Sequence, residues 1–309
     1  MKRRLLLAGL AAPAMAQPTT IRIVSPYTPG GASDSLGRLA AQALTEALGV
    51  SVVVENRPGA GGNLGAEMVA RAAPDGATLL VMAAAHAANA TLYRNLPFQV
   101  LRDFTPICVA GVVPNMLSVH PGLPARDLAE FIAFARAQPQ GLTYGSAGIG
   151  TLPHLAMELL RHQAGFQALH VPFRGSAPAI IELAAGRIQA VLENLPPQIG
   201  QARAGGIRPL AMSTAARLPE WPDVPAIAET WPGFEAVAWQ ALVAPAGTPM
   251  PLVRRIAEVV LAATAAQATR LRAQGIIPGA MGPDEFPGFL RAEVEKWAVA
   301  VRQSGAVVE

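Results

Sequence analysis

Apolar residues along this chain recur in two alternating rhythms, short β-branched runs and longer stretches with a helical period. Ile21 to Val24 reads as a strand that enters a Thr28-Pro29-Gly30-Gly31 turn. A helix is predicted next, with Ser33 or Asp34 as its cap and Leu36, Leu39, Ala43, Leu44 and Leu48 on one face. Val52 to Val54 predicts a second buried strand, and Gly59-Ala60-Gly61-Gly62 a turn that opens a helix over Asn63 to Ala72. Thr78 to Met82 reads as a buried strand. Beyond it, Ile107 to Val113, Met116 to Val119, Leu142 to Gly145, Ala168 to Val171, Ile188 to Leu192, Arg208 to Met212 and Ala238 to Val243 carry strand signals. Helices are predicted over Leu128 to Ala137 (capped by Arg126 or Asp127), His154 to Ala164, Ala179 to Ala185, Pro249 to Ala266 and Asp284 to Gln303.

This alternation argues an α/β fold with largely parallel sheet. Two Pro-rich crossings, Leu96 to Pro106 and Arg217 to Pro225, bracket the middle of the chain. They suggest two lobes, one from 17–100 plus 222–309 and the other from 101–221, with a ligand cleft between them. Ligands in open α/β sheets lie outside the carboxyl ends of strands. Both halves supply Gly-rich turns there, at Thr28 to Gly31 and at Ser146 to Thr151. A tight turn leading into a helix N-terminus presents free N–H groups and suits an anion.

The first sixteen residues have the form of an export signal. Lys2-Arg3-Arg4 is a positive head, Leu5 to Ala12 a short apolar run, and Ala14-Met15-Ala16 a cleavage site, so export with cleavage after Ala16 is expected. Three of the 24 basic residues fall in that segment, which leaves 21 against 21 acidic ones and no basic footprint for nucleic acid. The single cysteine, Cys108, sits in an apolar run and reads as a core residue.

Catalytic motifs are scarce. The nucleophile elbow fails because Tyr144 stands where Gly is required, and the Gly59 to Gly65 stretch lacks the lysine of a phosphate loop. No spacing suits zinc, and no metal or organic cofactor is implied. His86 and His154 stand where a ligand would lie, while His170 reads as structural. Asp34 is equally readable as a helix-start residue or a ligand contact. A hydrolase using Ser146 with His154 is a remote alternative, since no third residue is legible. A neutral, exported, two-lobed protein without a catalytic set favours a binding protein for a small carboxylate.

Those residues resemble a known family. Pro26-Tyr27-Thr28-Pro29-Gly30-Gly31 with Asp34, Val54 to Asn63, His86 with Asn89, Asp103 to Pro106, Tyr144 to Thr151 with His154, Val171 to Pro178, and Glu193-Asn194 are similar, in order and spacing, to the solute receptors of tripartite tricarboxylate transporters, the Bug family. The resemblance implies a periplasmic-binding-protein fold, type II-like, whose lobes close on an organic acid and deliver it to integral-membrane permease subunits. It implies a monomer, and a ligand set of Tyr27, Thr28, Gly30, Gly31, Asp34, Ala85 and His86 in one lobe. The second lobe would contribute Ser146, Ala147, Gly150, Thr151, His154, Phe173, Arg174 and Glu193. Di- or tricarboxylates are the expected ligands. A Glu at 193, longer than the usual Asp, would repel an added carboxylate, which keeps a monocarboxylate or an amino acid open. A receptor serving a sensor kinase is the other alternative.

Overall fold

The computed structural model describes residues 20–308, so the export signal and its cleavage site lie outside the described residues. β1 (Thr20–Ser25) runs parallel between β2 (Ser51–Asn56) and β3 (Thr78–Ala83), joined by α1 (Ala32–Leu48) and α2 (Asn63–Ala70). α3 (Ala84–Leu92) follows β3 without a loop, and β4 (Phe104–Val113) then enters the same sheet. β5 (Asn115–Val119), α4 (Leu128–Arg136), β6 (Leu142–Ser146), α5 (Leu152–Ala164), β7 (Ala168–Pro172), α6 (Ser176–Ala184), β8 (Ala190–Asn194), α7 (Leu195–Arg203) and β9 (Arg208–Met212) form the middle of the chain. β10 (Ala238–Pro245), α8 (Met250–Ala266), α9 (Ala268–Ala273), β11 (Ile277–Met281) and α10 (Phe286–Ser304) complete it. The strands make a six-stranded sheet, β11-β4-β10-β3-β1-β2, and a five-stranded sheet, β7-β6-β8-β5-β9. Both are mixed rather than largely parallel, because β10 runs antiparallel to β3 and β4, and β5 antiparallel to β8 and β9.

Several local expectations are corrected. β2 is an edge strand with half-exposed residues, since only β1 pairs with it. α1 begins at Gly31 with no side-chain cap, and Ser33 and Asp34 lie inside its first turn. Its buried stripe runs through Leu36, Gly37, Ala40, Ala41 and Leu44, one residue off the expected face; Gly37 lets the helix approach Val81. α4 is capped by Asp127, whose carboxylate accepts from Glu130 N–H at 2.8 Å. Cys108 is fully buried, which pushes its thiol up to about 12.

The chain changes sheets at Pro114, not at residue 101: β4 is gripped on both sides by β10 and β11, so residues 104–113 stand in the six-stranded sheet. The return lies between Met212 and Ala238. Pro225 and Ala226, within the second Pro-rich stretch, still hold the edge strand β9. The two passages are tied together. Asn115 Nδ2 donates to Ala236 O at 2.6 Å, the Ser213 hydroxyl donates to the same carbonyl at 2.7 Å, and Asn115 N–H donates to Ser213 Oγ at 2.9 Å. α10 packs against α3 on one side and α5 on the other. Its Glu293, buried, accepts both the Trp239 and Trp297 indole N–H groups at 2.7 and 2.8 Å, anchoring the helix to β10. Among the described residues, no helix is long and apolar enough to cross a membrane.

Candidate ligand site

In the first lobe, β1 and β2 end in register at Ser25 and Asn56, so the turn after β1 lies beside the end of β2. Asn56 exploits this: its amide donates to Tyr27 O and to Asp34 Oδ1, both at 3.0 Å. Asp34 is the clamp of the turn. Its Oδ2 accepts from Gly30 N–H at 3.1 Å and from Arg38 Nε at 3.0 Å. Burial would raise its pKa, but the bonds from Arg38, Gly30 and Asn56 outweigh that and hold the carboxyl below its usual range. Thr28, Gly30 and Gly31 are exposed. Gly30 has φ +94° with open space around it, so the turn needs glycine for its backbone and not for room.

His86 sits in the first turn of α3 and not in a loop, and it is fully buried. Its Nδ1 lies 3.1 Å from Ala83 N–H and its Nε2 3.3 Å from Gly62 O. One neutral tautomer, accepting at Nδ1 and donating from Nε2, satisfies both nitrogens. Burial lowers its pKa against the opposing bonds to Ala83 and Gly62. His86 therefore holds the Gly61-Gly62 loop in place. A Cβ at Gly62 would come within 3.1 Å of the His86 ring and 3.2 Å of the Tyr27 hydroxyl. Tyr27 donates weakly to Gly61 O at 3.5 Å, and Asn89 donates to Gly61 O at 3.2 Å and to Asn63 Oδ1 at 2.8 Å. Ala85 is half-buried on the same helix.

In the second lobe the turn after β6 is closed on itself. Gly148 N–H donates to Ser146 Oγ at 3.1 Å and the Thr151 hydroxyl to Gly148 O at 2.7 Å. The loop after β7 is strapped to it through Phe173 N–H to Ser146 O and Gly175 N–H to Ala147 O, at 3.0 and 3.2 Å. His154 Nδ1 accepts from Gly150 N–H at 3.1 Å. Ser146 Oγ meets His170 Nε2 at 2.7 Å rather than His154, whose Nδ1 is already taken, so the Ser146–His154 pair that the remote hydrolase alternative needs does not form. Glu193, at the end of β8, is fully buried. Its Oε1 accepts from Asn194 N–H at 2.9 Å while Oε2 has no hydrogen-bond partner. Burial drives this carboxyl up to about 7, against the pull of Asn194 N–H, the Ser176 hydroxyl and Ala147 N–H. Arg174 is exposed and makes no side-chain hydrogen bond or ion pair among the described residues.

The second turn abuts the first lobe at the end of α3. A Cβ on Gly150 would lie 2.6 Å from Leu92 Cδ2, at the end of the helix whose start carries His86. Residues that sequence reading left out of the site, Asn56, Asn89 and His170, prove to be the struts of the two turns. The signal for Asn89 was its position one helical turn beyond His86. No group of three or more His, Cys, Asp or Glu side chains among the described residues is placed to hold a metal ion.

Comparison with known proteins agrees with this architecture. Residues 36–305 match the model of the tripartite tricarboxylate transporter family receptor. Protein BugT of Bordetella pertussis is 35% identical, with 97% of this chain and 94% of that protein covered. Among solved structures, Rhodopseudomonas palustris Rpa4515 with adipate superposes with a TM-score of 0.79 at 37% identity, covering 94% of this chain and 99% of that one. MatC of the same organism, with bound malate, gives 0.75 at 30% identity over 91% and 98%. The periplasmic binding protein BugD gives 0.75 at 28% over 94% and 99%. The chain belongs to the tripartite tricarboxylate transporter receptor family, a family of solute-binding proteins and not of enzymes.

Proposed function

We propose that this protein is a periplasmic receptor that captures a small organic dicarboxylate between its lobes by hinge closure and delivers it to a tripartite tricarboxylate permease. The observation that carries the reading is the pair of glycine turns that flank α3, one at Tyr27 to Gly31 and the other abutting Leu92 through Gly150. The first offers exposed backbone beside a carboxylate already neutralised by Arg38, and the second lies next to the free cation of Arg174. Each suits one end of a dianion. Relatives of this chain hold adipate and malate. Glu193 weighs less against a second carboxylate than its charge suggests, because it is buried behind the turn and titrates near 7.

In this reading, residues 1–16 are removed after Ala16 and the receptor works in the periplasm as a monomer. The lobes divide at the sheet change, at Pro114 and between Met212 and Ala238, and rotate about the Asn115–Ser213–Ala236 knot. Of the ligand set anticipated from the sequence, the exposed Thr28, Gly30, Gly31 and Arg174 would meet the ligand directly, while buried Asp34, His86 and Glu193 would shape the turns behind them. Calorimetry of the processed protein against succinate, malate, adipate, acetate, citrate and glutamate tests it. At a hundredfold excess over Kd a true ligand stabilises by about 2.7 kcal/mol in a parallel thermal scan. Binding by succinate, malate or adipate is expected; binding by acetate or citrate alone, or by glutamate with none of these three, would overturn the assignment.

A further inference from the structure

The middle of the second-lobe turn carries one side chain, Ile149, and it is exposed rather than packed. Gly148 and Gly150 sit at φ +138° and +74°, so amide hydrogen bonds must hold its shape. One of those bonds ends on an imidazole, His154, and another ends on Ser146 Oγ, which meets a second imidazole, His170. The His154 and His170 rings lie 4.0 Å apart and 13° from parallel, and Tyr144 stacks on His170 at 4.9 Å. We propose that His170 and His154 are positioning residues that brace the 146–151 turn in its ligand-receiving shape, His170 through Ser146 and His154 through Gly150. The ligand part of this inference rests on the function proposed above.

The chemistry of the brace follows from its bonds. Ser146 Oγ accepts Gly148 N–H and lies 2.7 Å from His170 Nε2 and 3.1 Å from Gly148 O, while His154 Nδ1 accepts Gly150 N–H at 3.1 Å. His154 thus acts as an acceptor at the nitrogen facing the turn, which requires that nitrogen to be unprotonated, and His170 holds Ser146 Oγ in either neutral tautomer. Tyr144 fixes the stack laterally. Its hydroxyl donates to Glu158 Oε1 at 2.7 Å, and Glu158 pairs with Arg161 at 2.6 Å. Glu158 and Arg161, both on α5, are the charged groups that bear on the rings. Burial is the main force lowering both histidines; His154 further depresses His170, to about 4, and Glu158 opposes. The rings are therefore neutral at pH 7. A proton on His154 Nδ1 would turn the acceptor into a donor facing Gly150 N–H, and a charge on His170, 4.0 Å away, would exclude a second one.

Hydrogen exchange in protein labelled with ¹⁵N-glycine tests the brace without any ligand. In His170→Phe, which keeps a ring but no hydrogen-bonding nitrogen, Gly148 and Gly150 amides should exchange about tenfold faster, while Gly111 in β4 stays protected. His170→Gln should recover part of the protection, since its amide can face Ser146. Unchanged exchange at Gly148 and Gly150 in His170→Phe would overturn the proposal. Should Gly111 also lose protection, the wild-type titration decides. The Gly148 and Gly150 amide shifts must then follow the His170 ring with one midpoint between pH 7 and 4, and separate midpoints refute the brace. Adipate affinity, measured alongside, should fall about five- to tenfold in His170→Phe, the worth of one hydrogen bond. A loosened turn with unchanged adipate affinity, where the wild type binds adipate, overturns the ligand role of the turn and leaves the brace standing.

Discussion

Each lobe places a buried carboxylate behind its glycine turn, and the two are in opposite states. Asp34 accepts from Gly30, Arg38 and Asn56 and is held below the usual carboxyl range despite burial. Glu193 has one firm partner, Asn194 N–H, and an orphan Oε2, and burial lifts it to about 7. Both are almost inaccessible, at 5% and 0% exposure, but Glu193 lies deeper in the protein and has no cation beside it, whereas Arg38 faces Asp34, so depth and the missing cation decide the charge. One turn is thus held by a fixed anion and the other by neutral groups, the histidine stack and a carboxyl that half-titrates at physiological pH. The receptor's first lobe is built to be insensitive to pH and its second is not.

The harshest test of the contrast is Asp34→Ala. It strands Gly30 N–H, Asn56 and Arg38 at once, and hydrogen bonds to a charged group are worth roughly 1.5–3 kcal/mol each. A loss of about 3 kcal/mol in urea denaturation is expected, with ligand affinity reduced about tenfold or more. The contribution of Asp34 is complete above about pH 4, where the unfolded carboxyl is also ionised, and fades as pH falls through its lowered native value. An equal loss at pH 7 and pH 5 is therefore expected; a loss confined to one of them would break the comparison.

Glu193→Gln should act in the other direction and more weakly. From about pH 4.3 to about 7 native Glu193 keeps a proton that the unfolded chain has released, so its contribution falls as pH rises through that window. The amide has no such slope, and the variant should be more stable than wild type above pH 7, by about 1–3 kcal/mol. The histidines run oppositely: between about 6.5 and 4 the unfolded chain binds a proton that native His170 refuses, and lowered His154 adds in the same direction below about 6.5, so stability there rises with pH. In the wild type the two slopes offset. Chemical denaturation from pH 4.5 to 8 should show a flat wild-type profile and a rising one for Glu193→Gln; parallel profiles would show that Glu193 is ionised in the native protein.

The order of strands and helices was legible because buried runs and helical stripes dominate it, and the two turns were legible because glycine clusters at strand ends have few other uses. What stayed hidden had local signals that pointed elsewhere. α7 opens on Leu195-Pro196-Pro197, which reads as a break although proline fits the first helical turn. β11 contains Pro278 and Gly279, tolerable only because it is an edge strand; a Cβ on Gly279 would lie 1.8 Å from Val109 O. The sheet change at Pro114 was masked because Pro97 and Pro106 break the apolar pattern earlier, before and at the start of β4. His170 read as structural because its partner, Ser146, is 24 residues away and is brought close only by the parallel β6–β7 pairing that sets Tyr144 against His170. Asn56 likewise depends on the β1–β2 register.

The smallest expected effect separates the turns most cleanly. Gly30→Ala and Gly150→Ala both force a side chain into a positive φ, +94° and +74°, at a cost of about 1 kcal/mol each. At Gly30 nothing lies within 4 Å of the new Cβ, so strain is the whole effect. At Gly150 the methyl meets Leu92 Cδ2 across the lobes at 2.6 Å. Leu92 can rotate, which keeps the stability cost similar, but the rotation loosens a contact through which the second turn rests on α3. The two variants should therefore melt alike and differ in shape. Small-angle scattering should show a larger radius of gyration for ligand-free Gly150→Ala than for Gly30→Ala, with ligand restoring the difference. Identical scattering would mean that the Gly150–Leu92 contact does not hold the lobes together, and that the turns differ only in their charge.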